Sequence, residues 1–93
     1  MLELACAPAG PLPHPDLART WHDYLELPAE RALAISGDPR RDDWVTGASG
    51  GFDTRGQAET EALLECQRRR GKRRLQSECV LYAVGDEIVW RGR

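Results

Sequence analysis

Apolar positions along the chain change period three times, and each change marks an element. Leu17, Trp21, Tyr24 and Leu25 recur at i, i+4, i+7 and i+8, one stripe on a helix of about three turns. Pro15 suits the first helical position, Asp16 favours the N-terminal end of the helix dipole, and Pro28 stops the helix. Arg31 to Ser36 then alternates in part and precedes "GDPRRDD", a turn-rich link, so it reads as a strand. Asp43 to Gly47 reads as its hairpin partner. "GASGGFD" follows as a loop. The period returns to helical at Ala58, Ala62 and Cys66, with Leu63 beside them, after a Thr54-x-x-Gln57 start signal. This second helix is expected to fray near Arg70 and Gly71.

The clearest element is the last, "CVLYAVGDEIVW" from Cys79 to Trp90. Two β-rich runs flank Gly85-Asp86, a two-residue hairpin turn. That register pairs Val84 with Glu87, Ala83 with Ile88, Tyr82 with Val89 and Leu81 with Trp90. One face carries Cys79, Leu81, Ala83, Ile88 and Trp90, all apolar, and reads as the core side. The other carries Val80, Tyr82, Val84 and Val89, half apolar. It reads either as ordinary strand filling or as a partner surface. The expected fold is α+β: a small four-stranded, mostly antiparallel sheet of two β-hairpins, packed by a central helix, with an additional N-terminal helix over an edge or the second face. Residues 1–14, rich in proline, form an irregular arm, and residues 15–93 form a single α+β domain.

Ninety-three residues hold one domain, and its 41% hydrophobic content is that of a folded chain. No apolar run is long enough to span a membrane. The net charge of -2 hides an uneven distribution: Arg68, Arg69, Arg70, Lys72, Arg73 and Arg74 lie together between two cysteines. Setting those six aside leaves 7 basic residues against 15 acidic. Such a molecule is a strong dipole with one basic knob. The acidic remainder and the lack of aromatics within the run disfavour a dedicated nucleic-acid binder. The start, "MLELACAPAGPLPHP", has neither a basic leader nor a long apolar stretch, so it is not an intact signal peptide. A mature exported chain and a cytoplasmic one both fit it.

Candidate chemistry is sparse. "GASGG" satisfies G-x-S-x-G with Ser49 in the nucleophile position, but both histidines precede it and the chain is too short for the fold that uses the motif. Cys6, His14, His22, Cys66 and Cys79 lack the spacing of a metal site, and no cofactor motif occurs. Parity of the second helix and of the last hairpin turns Cys66 and Cys79 toward the same interior.

"YLELPAERALAIS", "WVTGASGG", "QAETEALLEC" and "CVLYAVGDEIVW", in that order, resemble a group of small uncharacterised secreted proteobacterial proteins. These have an A-E-x-x-A-L-x-x-C helix and a closing C-x-L-Y-A-V hairpin. The resemblance covers roughly residues 21–90. It implies a periplasmic or secreted location and a disulfide between Cys66 and Cys79; without it, two reduced buried cysteines remain equally consistent with the pattern. It implies no catalytic residues. Cys6 lies outside the shared segment. The reading is therefore a non-catalytic exported accessory or interaction domain, stapled by a disulfide, whose partner is another protein or an envelope component. The alternative is a polyanion-binding module, for nucleic acid or an anionic surface, using a basic loop at 68–74.

Overall fold

The computed structural model describes residues 14–40 and 43–91. A 3-10 turn, Pro15–Leu17, leads into helix α1, Ala18–Leu25. Strands β1 (Ala32–Gly37) and β2 (Trp44–Ser49) form the first hairpin. Helix α2 (Arg55–Arg73) follows, then β3 (Cys79–Val84) and β4 (Glu87–Ile88) as the second hairpin. The sheet order is β2-β1-β3-β4, with every neighbouring pair antiparallel. This is the expected α+β architecture. Cys6 and all of the N-terminal arm except His14 lie outside the described residues.

Start signals act locally as their chemistry requires. His14 Nδ1 accepts the Asp16 backbone N–H at 3.1 Å, and Thr54 Oγ1 accepts the Gln57 N–H at 3.1 Å, each satisfying a donor that the first helical turn leaves open.

The two faces of the sheet are built at different scales. Under α2 lie Ala32, Ala34 and Val45, meeting Ala58, Ala62 and Cys66. Gly47 belongs to this face, and its lack of a side chain lets the helix backbone come down onto β2. Ser49 Oγ donates to the Ala58 carbonyl at 2.6 Å, so a hydroxyl buried in the seam is satisfied. The opposite face is large and aromatic. Leu33, Ile35, Tyr82, Ala83 and Ile88 are covered by Leu17, Tyr24 and Trp21 from the α1 segment. Trp21 meets both Tyr24 and Tyr82, and Tyr82 in turn meets Trp90, at centroid distances of 5.4, 6.4 and 5.6 Å. α1 thus covers the second face.

The expected alternation on β3 fails at one place. Leu33 pairs with Ala83 but Ala34 pairs with Leu81, so Tyr82 is an extra residue, a β-bulge. Cys79 and Leu81 keep the α2 side, whereas Tyr82 and Ala83 both serve the aromatic side. Tyr82, expected on the open face, is 1% exposed. The hairpin register holds for Val84–Glu87 and Ala83–Ile88 and then ends, because Val89 and Trp90 both donate their N–H to the Tyr82 carbonyl.

Two further expectations are corrected. Ala48 and Ser49 belong to β2, which was expected to end at Gly47, since pairing with β1 continues to Ala32–Ser49. α2 does not fray at Gly71 but runs to Arg73. Arg74 adopts a left-handed conformation (φ 57°), its N–H returning to Gly71 O and that of Leu75 to Arg70 O. That closure satisfies the last carbonyls, and Leu75 packs on the core beside it.

Candidate functional site

The Cys66–Cys79 disulfide joins the buried face of α2 to the first residue of β3, with Cα atoms 6.1 Å apart. Only residues 74–78 connect the helix to the strand, so the staple closes a short corner rather than a long loop. Ser36 Oγ donates to Ser77 O at 2.7 Å and Arg70 Nη1 to the same carbonyl at 3.0 Å, fixing that corner from two sides.

Beyond the staple the sheet edge is open. β4 pairs with β3 only at Ala83 and Val84. The outer side of Cys79, Val80 and Leu81 therefore has no strand beside it among the described residues. Strand backbone groups alternate in direction, and the Tyr82 carbonyl points toward Val89 and Trp90. The Arg31 carbonyl accepts the Gly85 N–H, so Leu33 and Ile35 also turn their backbone groups to β3; past the bulge at Tyr82, Val80 is therefore paired to Ile35, and Cys79 and Leu81 offer their N–H and carbonyl groups to the outer side. Val80 is 45% exposed, and Val89 is 37% exposed. Val84 is half-buried.

A groove of about 760 Å³ runs along this edge. Ile35, Val80, Val89 and Trp90 give it an apolar floor; Asp38, Asp43 and Glu78 stand on its rim with Arg91. Arg40 pairs with Asp38 at 2.8 Å and lies over Trp90 at 5.5 Å, so the rim and the aromatic floor are tied together. Of the four residues proposed from the sequence as a partner surface, Val80 and Val89 line this groove and Tyr82 does not reach the surface.

The basic run is helical, not a loop, through Arg73, and its side chains diverge. Arg68 pairs with Glu65, and Arg69 reaches Glu65 at 2.9 Å while donating to the Thr46 carbonyl at 3.4 Å. Arg70 turns the other way, to Ser77. Arg73 lies 3.8 Å from Asp43. Arg69, Lys72 and Arg73 gather on the β2 side, where they border a hollow of about 570 Å³ with Trp44, Val45 and Thr46. Nothing in the local sequence pattern signals this meeting of Trp44 with the cations, since the antiparallel packing of α2 on the sheet creates it.

The other polar groups do structural work. Tyr24 donates its hydroxyl to Gly85 O at 2.8 Å, and the Arg31 guanidinium lies over its ring at 5.4 Å. Burial pushes the Tyr24 hydroxyl up to about 12, with Arg31 opposing the shift. Burial also raises Tyr82, whose oxygen accepts the His14 N–H at 3.3 Å. Arg31 also donates to Leu27 O at 2.9 Å and pairs with Asp86, fastening the end of α1 to the second hairpin turn. Ser49, bonded to Ala58 within the helix–sheet seam, is not placed as an exposed nucleophile.

Among the described residues, no helix is long and apolar enough to cross a membrane, and no group of three His, Cys, Asp or Glu side chains is arranged to hold a metal ion. Comparison with protein-family models, curated proteins and solved structures finds no match to this chain.

Proposed function

We propose that the chain is a non-catalytic, exported interaction domain, akin to the small secreted bacterial proteins its sequence resembles, and that it binds a partner protein along the outer edge of β3. One observation carries this reading: the strand whose edge is left open is the strand that the disulfide holds at its first residue. An unpaired edge is a ready template for an extended segment, and main-chain hydrogen bonds from Cys79 and Leu81 would supply the pairing. Val80, Val89 and Trp90 offer apolar contacts, and Glu78 favours a segment bearing a basic side chain. A disulfide is kept in oxidising compartments, which supports export to the periplasm or the medium.

The test is selection of displayed random peptides on the purified domain, followed by amide-shift mapping. Peptides that are extended, apolar and basic, shift the Leu81 amide, and lose binding at least tenfold with Val80→Asp are expected. Selected peptides that bind Val80→Asp as tightly as the parent would overturn the reading.

A further inference from the structure

The basic run meets an aromatic side chain in space that it lacks in sequence. β2 is an outer strand of the sheet, and the last turns of α2 lie along it. Trp44 begins the strand, leaning on the aromatic core from one side and lining the 570 Å³ hollow on the other. Arg69, Lys72 and Arg73 stand across from it, and among the described residues no carboxylate lines the hollow. Lys72 makes no ion pair among the described residues. Arg69 is aimed by its bond to the Thr46 carbonyl. Among the described residues, Glu65 pairs with Arg68 and Arg69, and Asp43 lies 3.8 Å from Arg73. Three cations and no described carboxylate therefore border the hollow.

We infer that this hollow binds a nucleoside phosphate, the phosphate held by Arg69, Lys72 and Arg73 and the planar base placed against Trp44. The pairing of a cationic groove with an aromatic side chain recognises that unit with little dependence on base identity. Its volume lies within the range of small-molecule sites. Both a free nucleotide and a residue of a single strand carry this chemistry. The site is separate from the β3 edge and stands whether or not that edge binds a partner.

The experiment titrates the full chain with adenosine monophosphate, an eight-residue thymidine oligonucleotide and dextran sulfate, following the Trp44 indole N–H resonance, at several salt concentrations. Binding of the nucleotide, the oligonucleotide or both, with a Trp44 shift, is expected. For the oligonucleotide, the log–log salt slope should be at least as steep as about -0.7, the contribution of one neutralised phosphate of a single strand. Exposed Lys72→Gln should weaken binding severalfold and reduce that slope, and Trp44→Phe should weaken it while keeping the fold. Oligonucleotide binding alone assigns the strand as the source; equal binding per nucleotide assigns the free compound. The inference is overturned if neither binds, if binding leaves the Trp44 resonance in place, or if dextran sulfate competes equally well and Trp44→Phe changes nothing.

Discussion

Gly47 lies so close beneath α2 that a Cβ built on it would fall 2.2 Å from the Cys66 backbone nitrogen and 2.6 Å from the Ala62 carbonyl oxygen. Both obstacles are backbone, so neither can rotate away. The approach of helix to sheet, and with it the position of Cys66 for its bond to Cys79, depends on that missing side chain.

Gly47→Ala should accordingly destabilise the domain by about 3 kcal/mol or more, at the upper end of overpacking costs. Denaturant unfolding measures it. Ala48→Ser, at an exposed position on the same strand, is the control and should be near neutral.

Breaking the disulfide has a comparable effect through the unfolded chain. Cys66 and Cys79 are 13 positions apart, and closing a loop of that size is worth about 3 kcal/mol in the loop-entropy model. Reduction, or the double change Cys66→Ser with Cys79→Ser, should lower the melting temperature by roughly 10–20 °C for a domain of this size. Thermal melts with and without reductant check it.

The end of α2 can be improved. Gly71 has nothing within 4 Å of an added Cβ, so Gly71→Ala should stabilise by roughly 0.5–1 kcal/mol. Arg74 holds φ at 57°, where glycine carries no steric penalty, and Arg74→Gly should add about 1 kcal/mol. The two changes touch the same helix end, so a double variant shows whether they add.

Alkali should unfold the domain in a way that reports on Tyr24. Its hydroxyl titrates near 10 in an unfolded chain and near 12 when buried. The unfolded state therefore holds fewer protons between those values, and stability, constant below about pH 10, falls as pH rises toward 12. Tyr24→Phe should cost about 1 kcal/mol at neutral pH through loss of the bond to Gly85 O, and should flatten the alkaline decline. Tyr82, raised in the same direction, keeps a share of that decline. Stability measured from pH 8 to 11.5 in both proteins tests it.

Much of the fold was legible because its signals are local. The Gly85-Asp86 turn places Val84 against Glu87, and the spacing of Ala58, Ala62 and Cys66 marks the buried side of α2. What escaped depends on contacts between elements. A bulge adds one residue without disturbing strand composition, yet it buries Tyr82, which strict alternation leaves on the open face, and puts it beside Ala83 on the aromatic side. A left-handed cap at an arginine has no compositional sign, so the helix was expected to stop at Gly71. Gly47 and Ser49 looked like the place where a strand gives way to a loop, because glycine and serine usually mark one. Here they are small so that a helix can sit on them. The hollow at Trp44 joins residues 44–46 to residues 69–73 and exists only once α2 is laid on β2.

The most direct measurement is the thiol state of the chain taken from the cells that make it: rapid alkylation, then intact mass and peptide mapping before and after reduction. An exported, stapled domain should yield a Cys66–Cys79 peptide and two thiols that react only after reduction. Free alkylation of both residues in freshly isolated protein would contradict export and leave the open strand edge without its anchor.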